Sequence, residues 1–193
     1  MTLGIDYPTV GVDLDGVMYD FDGIATYLLE RHANIPVAKD SDEYSFHQLR
    51  YPDAWGWLLS EGAEKHGLYR HGNLIRGALD GLHDLLSMTR VTFVTKRKET
   101  RRIRKDTVEW LAFHSLPSEV VFVNHGRSKL IAGCDIYIDD SPTVIEDLKK
   151  NRHPYVMYSH PWNDNVLVPE DSLAYNWCDV VELTKGKLGL PSA

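Results

Sequence analysis

The sequence predicts an α/β fold, a doubly wound parallel sheet that carries a small helical insertion near its start. Three observations predict it. Short apolar, β-branched runs alternate with stretches of helical periodicity along most of the chain. Two of the runs end in paired aspartates, Asp13-Leu14-Asp15 and Asp139-Asp140, and in such a sheet the strand carboxyl ends share one edge. Between residues 34 and 73 the alternation stops and a polar, aromatic-rich stretch takes its place.

The elements follow in order. Val10 and Val12 belong to a first strand with turn residues on either side. Residues 22–31 read as a helix with Ile24, Tyr27 and Leu28 on one face. The stretch 34–73 holds Tyr44, Phe46, Tyr51, Trp55, Trp57 and Tyr69. Linkers lack such aromatic content, so this stretch is expected to be a helical insertion that divides a core made of residues 1–33 and 74–193. Residues 74–88 resume a helix, with Leu79, Leu82, Leu85 and Leu86 at helical spacing. Strands are expected over 91–95, 119–123, 135–139 and 155–158, and helices over 98–114 and 142–150. The last of these has Ser141 as N-cap and Pro142 at its first position. The tail from Trp177 to Leu183 is expected to pack back on the core.

The totals bound the class. A chain of 193 residues suffices for one domain with a proper core. No apolar run is long enough to span a membrane, the first ten residues carry no secretory pattern, and two isolated cysteines suit a reducing compartment. A cytoplasmic protein without a membrane partner is expected. The net charge of −7 disfavours nucleic acid as a general partner. The window 96–105 is the exception, with seven basic residues and one acid, so that the rest of the chain carries −13. Oligomeric state stays open, a homodimer included.

Chemistry concentrates at the two acidic strand ends. Asp13 and Asp15 lie two apart and project to one side of an extended backbone, and Gly16 lets the chain bend just after them. The plainer alternative is a turn after an ordinary strand. The second acidic pair shifts the reading: four carboxylates at one edge repel each other unless a cation sits among them. Oxygen ligands of this kind suit a hard divalent ion, Mg²⁺ above all. Thr95 ends its strand as Asp13 does, so its hydroxyl is expected in the same crevice, although threonine is also simply a good strand residue. Lys129, in Gly126-Arg127-Ser128-Lys129, is either a solvated lysine or a member of the same site.

Taken in order, a strand ending Asp-x-Asp-Gly, a strand ending Thr, a lysine and a strand ending Asp-Asp resemble the haloacid dehalogenase superfamily of phosphotransferases. The resemblance implies a Rossmann-like core and a role for each residue. Asp13 would be the nucleophile that accepts the phosphoryl group. Asp15 would protonate the leaving oxygen and then activate water. Thr95 and Lys129 would hold phosphoryl oxygens. Asp13, the Asp15 carbonyl and Asp140 would hold Mg²⁺, with Asp139 beside them. Within the superfamily, Asp13-Leu14-Asp15-Gly16-Val17-Met18-Tyr19-Asp20-Phe21, the insertion after the first helix, Ile75-Arg76-Gly77-Ala78 and His160-Pro161-Trp162-Asn163 resemble the 5′(3′)-deoxyribonucleotidases. That likeness implies a small phosphorylated substrate, a nucleotide, with Phe21 against the base. Lys96-Arg97 depart from that family's usual small residue and proline.

The basic window is expected at the crevice rim, where Lys96 or Arg97 would draw in a phosphate-bearing substrate; a solvated helix face is the plainer account. Trp55 and Trp57 cannot share a helix face. One would then face the substrate while the other fills the insertion, unless both simply pack. The histidines are expected at the surface. Alternative readings are another phosphorylated substrate, a nucleic-acid phosphate end included, or a nucleotide-binding module without turnover.

Overall fold

Strand β1 (Thr9–Val12) lies at the centre of a six-stranded parallel sheet in a computed structural model, which describes residues 7–37 and 52–191. The spatial order is β3-β2-β1-β4-β5-β6, with β2 at Arg90–Thr95, β3 at Val120–Phe122, β4 at Ile136–Asp139, β5 at Tyr155–Tyr158 and β6 at Leu173–Ala174. The chain builds outward from β1 on one side, then returns to build on the other. That reversal places the switch point between β1 and β4, where open sheets of this kind bind ligands.

Each strand feeds both faces of the sheet. Ile136 and Ile138 of β4 join one buried cluster with Val10, Val12 and Phe93, while Tyr137 joins a second with Val94 and Met157. The two-residue side-chain period distributes them in this way. Helix α3 (Ala78–Leu86), α4 (Arg101–Phe113) and α6 (Trp177–Leu188) contribute to the first cluster, and α5 (Pro142–Lys150) to the second. Gly11 permits the β1–β4 contact: a Cβ there would lie 2.6 Å from the Tyr137 ring.

Local rules explain where the elements end. Asp20 caps α1 (Phe21–Leu28) by accepting from the Gly23 N–H at 2.9 Å. The helix widens into a π-turn over Leu29–Ala33 and ends at Asn34 in the left-handed region. Ile24 and Leu28 are buried, but Tyr27 is exposed, contrary to the face assigned to it. The α3 helix starts later than periodicity suggests, because Leu74 and Ile75 pair with the loop after β1: Leu74 bridges Tyr19 and the Ile75 N–H donates to Met18. Thr100 caps α4 through the Ile103 N–H, so Lys96, Arg97 and Lys98 precede the helix. β3 is shorter than expected. β6 escapes notice in the sequence because two residues carry no periodicity.

The described part of the insertion is helical, with α2 (Pro52–Trp57), a π-turn at Leu58–Gly62 and a last helical turn at Ala63–Lys65. Ala54, Leu58, Leu68 and Tyr69 extend the first core cluster. Tyr44, Phe46, His47 and Tyr51 lie outside the described residues. The tail does pack back: the Trp177 indole donates to the Val17 carbonyl at 3.0 Å, and the ring fills the space above Gly81. Among the described residues no helix is long and apolar enough to cross a membrane.

Candidate active site at the carboxyl edge of the sheet

β1 and β4 are hydrogen-bonded neighbours with Val12 opposite Ile138, so the residues that leave them meet. Asp13, Asp139 and Asp140, all buried, each offer one oxygen within 4.8 Å of the others. Lys129, at the start of the 3₁₀ turn Lys129–Ala132, extends its ammonium into this group. Its Nζ lies 2.7 Å from Asp13 Oδ1 and 2.6 Å from Asp139 Oδ2. Ser141 N–H donates to the other Asp139 oxygen at 3.0 Å. The Trp162 indole donates to Asp140 Oδ2 at 3.0 Å, and the Asn163 side chain ties the Asp140 carbonyl to that of Tyr158.

Three carboxylates thus face one ammonium. Burial raises the Asp13 carboxyl to about 7; Lys129 pulls it down, but Asp139 and Asp15 push it up. Asp140 is held well above its ordinary range by burial and by Asp13 and Asp139. Burial works against the Lys129 charge, yet the two flanking aspartates outweigh it and raise its pKa. With one ammonium among three carboxylates, the site favours taking up a proton or a further cation, and its all-oxygen donor set is of the kind a hard divalent cation prefers. The residues present fit Mg²⁺.

Gly16 makes this approach possible. It sits at φ +83°, and a Cβ on it would come 2.2 Å from Asp140 Oδ2. His160 closes the same turn: its Nε2 is 2.6 Å from the Gly16 carbonyl oxygen, which can only accept, so that nitrogen carries the proton. The ring stacks on Trp162 at 4.0 Å, and burial lowers its pKa.

Asp15 looks elsewhere. Its two oxygens accept from Arg97 Nε at 2.9 Å and Nη2 at 2.7 Å, a bidentate pair. The Arg97 Nη1 donates to Thr107 Oγ1 at 3.0 Å, and the guanidinium lies 4.6 Å from the centroids of both Tyr19 and Tyr69. Burial works against the guanidinium charge, but Asp15 outweighs it and raises the pKa.

These groups share one cleft of about 910 Å³. Asp13, Asp15, Thr95, Lys129 and Asp140 line its floor, with Phe21, Trp55 and Tyr69 on an aromatic wall and Lys96 and Lys98 at another side. Phe21 meets Trp55 edge-on at 6.0 Å. Thr95 is buried and accepts the Arg97 N–H at 3.2 Å.

Two assignments require correction. Arg97 is not a rim cation, since its side chain is 0 % exposed and each of its three nitrogens already donates. Trp57 is not on the cleft; it stacks on His66 at 5.5 Å, while Trp55 lines the cleft. Three of the seven cations in the basic window have acidic partners close in sequence: Arg102 pairs with Asp106, Arg104 with Glu99 and Lys105 with Glu109. Sequence reasoning missed Tyr19, Tyr69 and Thr107 around Arg97, and placed His160 at the surface. The available signal was His160-Pro161-Trp162-Asn163 directly after a strand, at the edge where ligands bind.

Solved structures of haloacid dehalogenase-like hydrolases share this fold. A HAD-superfamily hydrolase of subfamily IA from Geobacter sulfurreducens superposes with a TM-score of 0.61 at 16% identity, covering 92% of this chain and 96% of that one. The HAD-hydrolase YfnB from Bacillus subtilis, solved bound to magnesium, superposes at 0.58 with 14% identity over 96% and 100% of the two chains. The particular family is narrower. The model of the family described as "5' nucleotidase, deoxy (Pyrimidine), cytosolic type C protein" matches residues 7–188, and the chain belongs to that family, as a phosphoric monoester hydrolase. A relative from Chlorobaculum tepidum, provisionally named 5′(3′)-deoxyribonucleotidase, is 26% identical over 91% of this chain and 89% of its own length.

Proposed function

We propose that the protein is a Mg²⁺-dependent phosphomonoesterase for nucleoside monophosphates that works through an aspartyl-phosphate on Asp13. One observation carries the reading: Asp13 and Asp140, clustered with Asp139 around Lys129, line the same cleft as the aromatic side chains of Phe21 and Trp55. The cluster suits a phosphoryl group and the wall suits a base.

Asp13, Asp140 and the Asp15 carbonyl would hold the metal; Asp139 is the weaker ligand because Lys129 and Ser141 already engage both of its oxygens. A bound Mg²⁺ supplies charge neutralisation, without which an anionic ester and an attacking carboxylate repel. The remaining steps belong to the chain. An Asp13 oxygen attacks phosphorus as the ester P–O bond breaks, and Asp15, protonated on a lone pair that Arg97 does not occupy, gives that proton to the departing oxygen. Lys129 and Thr95 bind phosphoryl oxygens. Water then attacks the aspartyl-phosphate, its proton passes to Asp15, and inorganic phosphate leaves with Asp13 restored.

Phosphate release across all deoxy- and ribonucleoside monophosphates, with and without Mg²⁺, tests the proposal. Mg²⁺-dependent turnover that Asp13→Asn abolishes is the expected result, and undiminished turnover by Asp13→Asn contradicts the mechanism. Lys96 and Lys98 on the cleft favour a second reading, a substrate with further negative charge such as a nucleic-acid phosphate end. Faster release from such ends than from mononucleotides would decide for it.

A further inference from the structure

We propose that Arg97 is a positioning residue for Asp15, clamping the acid–base carboxyl in place through a cage that the insertion helps to close. The inference rests on the phosphotransfer reading above, because it concerns the group that moves the proton.

A buried guanidinium is costly unless each polar edge is satisfied. Here the cost is met on every side. Both oxygens of Asp15 take the fork, and Thr107 of α4 takes the remaining nitrogen. The Tyr19 and Tyr69 rings both pack against it, each centroid 4.6 Å from Cζ. The Tyr19 ring is itself pinned: its hydroxyl accepts the Gly72 N–H at 2.8 Å and donates to the Leu68 carbonyl, and its ring meets Trp110 edge-on at 4.8 Å. The cage thus draws on the loop after β1, the turn at residues 68–70 and α4.

Substrate cannot reach the Arg97 side chain, whereas Asp15 keeps 28% of its side chain exposed toward the cleft. Its side chain therefore acts on chemistry through its neighbours, and Asp15 is the one it grips with two hydrogen bonds. The backbone of Arg97 also donates to Thr95 Oγ1, so one residue sets the position of two groups on the floor. Lysine could keep the charge but not the fork or the stacked plane.

The test is a series of aryl phosphates of graded leaving-group basicity, with p-nitrophenyl phosphate at the easy end and phenyl phosphate at the hard end. Displacement of a basic leaving group needs the proton; displacement of p-nitrophenolate does not. For Arg97→Ala and Arg97→Lys, kcat/KM for phenyl phosphate should fall roughly 10²-fold, while that for p-nitrophenyl phosphate falls less than about 3-fold. A burst of p-nitrophenol should appear as water attack becomes slow. In an Asp15→Ala background Arg97→Ala should cost nothing more, since residues that act as a unit are not additive. Thr107→Val, which loosens the cage from outside the cleft, should tilt the same series in the same direction by a smaller amount. A uniform loss across the series, or an additive loss on top of Asp15→Ala, overturns the inference while leaving the phosphotransfer reading intact. Turnover surviving Asp13→Asn would sink both.

Discussion

Two aspartates two positions apart in one motif meet two buried cations and end in opposite circumstances. Asp13 shares Lys129 with Asp139 and stands beside Asp140, so three carboxylates divide one ammonium. Asp15 has Arg97 to itself, with both oxygens engaged and two tyrosine rings against the guanidinium. The first pocket is left short of positive charge and open to a cation. The second is already balanced. Spacing along the chain makes the two residues look alike; on the proposed mechanism their different partners suit one to bond-making and the other to proton transfer.

Removing the cation from the open pocket should produce the largest effect. Lys129→Met leaves three buried carboxylates with no ammonium, and breaking a buried pair in this way costs about 3–5 kcal/mol. Chemical denaturation without metal should show a loss of that size, partly recovered on adding Mg²⁺. Gly16→Ala comes next. Left-handed backbone costs a side-chain-bearing residue about 1–2 kcal/mol, and the new methyl would collide with Asp140. Stability should fall by at least that strain, with Mg²⁺ activation lost.

The surplus charge around Asp13 also has a pH signature. Its folded pKa of about 7 lies above the unfolded value of 3.8. The folded protein therefore binds more protons between those values, and this group's contribution to stability declines as pH rises through the window. Without metal, Asp13→Asn should melt higher than the wild type at pH 7.5, and the gap should narrow as pH falls toward 5. A gap that is constant with pH would show that the open pocket is not strained by charge.

A smaller effect sharpens the contrast between support and contact. Trp162→Phe keeps the stack on His160 but removes the donor to Asp140. Outer partners of metal ligands are worth 10–100-fold, so Mg²⁺ activation should weaken roughly 10-fold. The smallest effect is expected at Trp57, off the cleft: Trp57→Phe should leave KM for a nucleotide unchanged, while Trp55→Ala raises it.

Much of this architecture is legible in the chain because it follows from short-range periodicity. Val10, Val12, Ile136 and Ile138 announce buried strands, and the acids after them mark one edge. Other features depend on where the backbone goes after a strand ends. Arg97 reads as one of seven cations in a run, and nothing local says that it turns inward beneath Tyr19 and Tyr69, which come from distant segments. The run itself reads as an anion site, although Asp106, Glu99 and Glu109 offset three of its members. Trp55 and Trp57 are distinguishable as facing differently, but which one meets the cleft depends on how the insertion seats on α1.

The division between the two aspartates is tested most directly by the Mg²⁺-induced rise in Tm, measured for the wild type, Asp13→Asn, Asp140→Asn and Asp15→Asn. The account predicts a similar rise for the wild type and Asp15→Asn, whose side chain is turned to Arg97, and a much smaller rise for the other two. A full rise in Asp13→Asn, or its loss in Asp15→Asn, would contradict it.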